Sequence, residues 1–124
     1  IQLHGLIEGD RKYQIFHDCA GFIFPSHFEN SPMVLKEALA ARQIIICSDI
    51  EANINVLRNS DDKFIFQYAA TDVDALAKSI IEVDHQYDAL KASSVGIACP
   101  EYATDKYAFN KLNIIFNRLQ SSAK

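Results

Sequence analysis

The chain reads as an α/β domain, a parallel sheet with flanking helices, and three observations carry that reading. Residues 20–25 and 43–47 are short, continuously apolar runs rather than alternating ones, as expected of parallel strands covered on both faces. Segments with helical periodicity stand between and after these runs at the intervals of strand–helix–strand crossovers. At 124 residues and 49% hydrophobic content there is material for one core.

The elements follow in order. Ile1 to Ile7 reads as a strand, and Glu8 to Asp10 as a turn into a helix from Arg11 to Cys19, whose Tyr13, Phe16 and Ala20 fall on one face. The strand from Ala20 to Pro25 leads to a polar turn and then to a helix that opens on Ser31 and Pro32. Ser31 is expected at the N-cap, and Pro32 at the first helical position, where its missing N–H is no loss. The apolar stripe of that helix is Val34, Leu35, Ala38 and Ala41. Gln43 to Cys47 is the next strand, Glu51 to Leu57 a turn with a short helix, and Phe64 to Tyr68 another strand.

Thr71 to Asp74 resembles a capping box, with a Thr hydroxyl and a carboxylate three positions later. Val73, Leu76, Ala77, Ile80 and Ile81 then predict a helix packing through that face. Residues 85–104 read as helical in part, with Pro100 as a break. Ala108, Leu112, Ile115, Phe116 and Leu119 predict a last amphipathic helix between Asp105 and Leu119, and residues 120–124 are expected to fray. The expected organisation is one domain over 1–104 with a helix over 105–124 packing on it.

In open parallel sheets ligands bind outside the carboxyl ends of the strands, where the Ser26–Pro32 turn would lie. The first-turn amides of Met33 and Val34 would point there, a place suited to an anion. Glu29 lies in the turn, and Glu37, about two turns into the helix, leans back toward the same crevice because helical side chains tilt toward the N-terminus. An anion site flanked by two hydroxyl-accepting carboxylates suits a sugar nucleotide. Spacing alone leaves the other reading open, in which Glu29 is an ordinary turn carboxylate and Glu37 a solvated flank. His27 either touches substrate or is simply solvated, and Ser26 bonds either ligand or local backbone.

The run Pro25-Ser26-x-x-Glu29-Asn30-Ser31-Pro32-x-Val34-Leu35-x-Glu37-Ala38-Leu39-Ala40, followed by Ile44 to Ile50, resembles the C-terminal nucleotide-sugar domain of retaining GT-B glycosyltransferases. These are the group 1 glycosyl transferases, the large family that includes glycogen synthases. The resemblance is strongest over residues 14–57. It implies a Rossmann-like sheet forming part of the C-terminal domain of a GT-B fold, and a nucleotide-diphosphate sugar donor carrying UDP, GDP or ADP. It implies that Glu29 contacts the transferred sugar and stabilises its oxocarbenium-like charge. By the same resemblance Glu37 accepts the ribose hydroxyls, the amides of Met33 and Val34 hold the diphosphate, and Asn30, Ser31 and His27 line the substrate. No cofactor and no metal are expected.

Two departures from the family pattern stand out. Asn30-Ser31-Pro32 replaces the usual Gly-Phe-Gly, and Pro32 has no amide to offer a phosphate. Asn55 stands where a Glu is usual. The family's earlier Gly-rich turn and basic pair are missing from residues 1–124, so the chain is expected to be the C-terminal part of a larger enzyme, inactive alone, with its sugar or lipid-linked acceptor bound by an N-terminal domain. The expected role is polysaccharide, lipopolysaccharide or glycolipid synthesis. The alternative is a degenerate or truncated α/β domain acting as a scaffold or regulatory module.

Other classes find little in the sequence. The net charge is −4 with scattered basic residues, which argues against nucleic acid. Cys19, Cys47 and Cys99 stand far apart and read as reduced core thiols of a cytoplasmic protein. His4, His17 and His85 lack a second ligand at metal spacing. No apolar run approaches the roughly 18 residues of a spanning helix, so any membrane association would be peripheral.

Overall fold

The computed structural model describes residues 2–60 and 62–94. The readings for residues 95–104, Pro100, the final helix and the last five residues lie outside the described residues. In chain order the elements are α1 (Asp10–Asp18), β1 (Phe22–Phe24), α2 (Met33–Ala40), β2 (Ile45–Ser48), α3 (Glu51–Leu57), a 3-10 turn (Asp62–Phe64), β3 (Ile65–Tyr68) and α4 (Val73–Ser94). The strands form one parallel sheet in the order β1-β2-β3, with Phe24 beside Cys47 and Cys47 beside Gln67. This is the predicted Rossmann-like α/β arrangement.

β2 is central, and its residues alternate between two cores. Ile45 and Cys47 join Phe16, Leu35, Ala38, Val56 and Leu57 on one face of the sheet. Ile44, just before the strand, and Ile46 join Phe64, Tyr68, Val83 and Leu90 on the other. All four β2 residues are buried, as the continuous apolar run predicts. β1 departs from that expectation. Among the described residues it has one hydrogen-bonded neighbour, and while Phe22 and Phe24 pack inward, with Phe22 edge-on to Phe16 at 5.5 Å, Ile23 is 45% exposed on the other side.

Two loop residues fix how the strands meet. Gly21 sits so close to β2 that a Cβ there would stand 2.9 Å from the Ile44 carbonyl oxygen, which accepts the Phe22 amide. Arg42, at φ 56°, is a non-glycine residue in the left-handed region. It ends α2, where the Arg42 amide donates to the Leu39 carbonyl and the Gln43 amide to the Ala38 carbonyl, the paired bonds of a Schellman motif.

Three further expectations are corrected. Residues 2–9 form no strand: Gly5 and Gly9 take positive φ, which breaks an extended run, and Leu3 and Leu6 project into solvent. The residue capping α4 is Asp72, not Thr71; its carboxylate accepts the Ala75 amide at 2.8 Å. The buried face of α4 is Leu76, Val83, Tyr87 and Leu90, whereas Val73, Ala77, Ile80 and Ile81 are exposed. That face is turned from the predicted one because the phase is set by Val83 and Leu90 further along, which meet Ile44 and Ile46 of the sheet.

Candidate functional site

All three strands run the same way, so their carboxyl ends share one edge of the sheet, and the turn from Ser26 to Pro32 leaves β1 there. Among the described residues no backbone–backbone hydrogen bond involves residues 26–31. The turn is held through side chains instead. Ser48, the last residue of β2 and fully buried, donates its hydroxyl to the Ser26 carbonyl. Ser26 in turn donates its own hydroxyl to Glu29 Oε1 at 2.9 Å. The Ser26 hydroxyl therefore bonds a neighbouring carboxylate rather than the local backbone.

Behind Ser48 stands Asn53 of α3, also fully buried, whose Nδ2 donates to the Ser48 carbonyl at 3.0 Å and to the Ser48 hydroxyl oxygen at 3.1 Å. Asn53 shares a helical face with Val56 and Leu57, three and four residues on, and that spacing is the signal by which it could have been found. A second tie crosses the same edge, where Asp49 accepts the Ala70 amide at 3.0 Å and its own amide donates to the Tyr68 carbonyl.

α2 begins one residue later than predicted. Pro32 occupies the cap position, its carbonyl accepting the Leu35 and Lys36 amides, and Ser31 makes no capping bond. The Ser31 hydroxyl is approached instead by Lys36 Nζ at 3.4 Å. Ring closure fixes Pro32 near the helical φ, which serves to start the helix without a side-chain cap. The amides of Met33 and Val34 have no acceptor among the described residues, so the first turn presents two N–H groups at its open end.

Glu37 is half-buried and carries a partner the sequence did not announce: Lys12 of α1, whose Nζ lies 2.6 Å from Glu37 Oε1. A carboxylate has room for about four hydrogen bonds, so this pairing leaves acceptor sites. Glu29 is half-buried, while His27, Asn30, Ser31 and Met33 are exposed and Val34 is intermediate. Phe28, 87% exposed, stands beside them in the turn. Asn55 is occupied by Arg58, which donates to its Oδ1 at 2.6 Å.

Chemically the start of α2 offers two open amides suited to an anion, while Glu29 in the turn and Glu37 on α2 keep lone pairs that can accept hydrogen bonds. Among the described residues no group of three His, Cys, Asp or Glu side chains is placed to hold a metal ion. Among the same residues no helix is long and apolar enough to cross a membrane.

The family model described as glycosyl transferases group 1 matches residues 1–94. No curated protein and no solved structure matches the chain.

Proposed function

Because the chain belongs to the glycosyl transferases group 1 family, we propose that its carboxyl edge binds a nucleotide-diphosphate sugar within a retaining transferase of GT-B fold. The observation that carries this reading is the arrangement around the start of α2, two amides without acceptors among the described residues, with Glu29 before them and Glu37 behind. The Met33 and Val34 amides take the diphosphate and stabilise its charge as it leaves. Glu37 accepts ribose hydroxyls on the lone pairs that Lys12 leaves free. Glu29, steadied by Ser26, accepts hydroxyls of the transferred hexose and favours the positive charge that develops on its ring. His27, Asn30 and Ser31 line the sugar.

The donor carries UDP, GDP or ADP, and the acceptor, a sugar or a lipid-linked sugar, is held by an N-terminal domain. The reaction serves polysaccharide, lipopolysaccharide or glycolipid synthesis in the cytoplasm, with peripheral membrane contact through the acceptor.

A saturation-transfer NMR titration of the chain with UDP, GDP and ADP, repeated on Glu37→Gln, tests the reading. One nucleotide is expected to bind, with ribose signals that fade in the variant. Binding of none, or ribose signals that ignore Glu37, would overturn it in favour of a scaffold domain.

A further inference from the structure

We propose that Ser48 and Asn53 are positioning residues for Glu29, acting through the Ser26 backbone; the inference rests on the donor-site reading above. The turn that carries Glu29 has no backbone ladder of its own among the described residues, so its place depends on what grips Ser26. The grip is the Ser48 hydroxyl, which has one proton and spends it on the Ser26 carbonyl. It must then receive, not give, the bond from Asn53, and this fixes the Asn53 amide with Nδ2 toward Ser48.

The cost of that arrangement supports a directional role. Asn53 Oδ1 is buried without a partner among the described residues, while its Nδ2 makes two bonds to one serine. A buried polar group left half satisfied destabilises the fold. What it gains is a serine hydroxyl locked in one rotamer at the strand end. From there the order is transmitted in two steps, from the Ser48 hydroxyl to the Ser26 carbonyl and from the Ser26 hydroxyl to Glu29 Oε1. Because Ser48 and Asn53 are fully buried, neither touches substrate, and both act through Ser26.

The test uses the protein at its natural length, with UDP-, GDP- and ADP-glucose as donors. For Ser48→Ala, kcat should fall about tenfold while the donor KM stays within about twofold, as expected when a reacting group is misplaced and donor binding is kept. Ser48→Thr, which keeps the hydroxyl, should restore most of kcat. Ser26→Ala combined with Ser48→Ala should cost no more than either alone, since they sit on one path. Should Ser48→Ala fail to fold, Ser48→Cys fills the same space with a weaker donor and should show a smaller fall in kcat.

A serine variant that melts earlier yet keeps kcat within about twofold, while Glu29→Gln abolishes transfer, would overturn the inference and leave the donor-site reading standing. Full activity of Glu29→Gln, or no donor consumed by the wild type, would overturn both.

Discussion

Lys12 and Glu37 are 25 residues apart in sequence, and Lys12 Nζ meets Glu37 Oε1 at 2.6 Å, tying α1 to α2 at the flank of the proposed nucleotide site. The pair is partly shielded from solvent, so it orients the carboxylate more than a surface pair would. Lys12→Met should weaken binding of the nucleoside diphosphate by about fivefold, the equivalent of about 1 kcal/mol. Titration calorimetry on both proteins checks this. Equal affinities would mean that Glu37 needs no anchor.

Arg42 is held at φ 56° by the hydrogen bonds that end α2. A side chain in this region costs about 1 kcal/mol relative to glycine, partly offset by the greater freedom of glycine when unfolded. Arg42→Gly should therefore raise the melting temperature by a few degrees. Arg42→Val should lower it, because a β-branched residue suits this region least.

Gly21 admits no side chain without movement of the pairing between β1 and β2. A methyl group 2.9 Å from the Ile44 carbonyl oxygen meets backbone, which cannot swing aside as a side chain tip would. Gly21→Ala should destabilise the domain by about 2 kcal/mol, read as a lower urea midpoint at unchanged slope.

Asp72, not Thr71, caps α4. Asp72→Ala should cost about 1 kcal/mol and Thr71→Ala almost nothing, as paired urea melts would show. The reverse order would return the helix start to the residue expected from the sequence.

Cys47 is fully buried, and desolvation first, with the Asp49 charge adding to it, pushes its thiol up to about 12 against a hydrogen bond with Gln67 that acts to lower it. Below about pH 9 the folded and unfolded chains both keep the proton. Between about 9 and 12 the unfolded chain gives it up while the folded one resists. The contribution of this thiol should accordingly make stability decline as pH rises through that window. Cys19 is exposed and not in the core as the sequence reading has it, so at neutral pH iodoacetamide should label it well ahead of Cys47, resolved by peptide mass mapping.

The strands of the sheet and the helices that join them were legible because their signals are local. The run from Ile44 to Cys47 is apolar enough to be a central strand anywhere, and Leu35 with Ala38 marks one face of a helix by spacing alone. What could not be read depended on partners remote in sequence. The phase of α4 is set by Val83 and Leu90 against Ile44 and Ile46, and Ile80 and Ile81, equally apolar, are left facing solvent. Residues 2–9 have strand-like composition, but two glycines at positive φ break their path. Of the groups proposed for the site, Glu29, Glu37 and the α2 amides can be named from the sequence, whereas the bonds of Lys12, Ser48 and Asn53 around them cannot. The burial of Asn53 had a signal in its spacing from Val56 and Leu57, but the bonds of Lys12 and Ser48 span 25 and 22 residues, and no spacing rule foretells pairings that only the folded chain creates.

The two cores also differ in when they can exist. Every buried member of the first lies between Phe16 and Leu57, while the second needs Val83 and Leu90. A ribosome delivers the chain from its N-terminus, so the first face of β2 can close while α4 is still inside the exit tunnel. Until α4 emerges, Ile44 and Ile46 remain uncovered on the nascent chain. In that interval this face of the sheet offers a surface to chaperones, and slowing translation after Leu57 has left the tunnel and before Leu90 has should lengthen it.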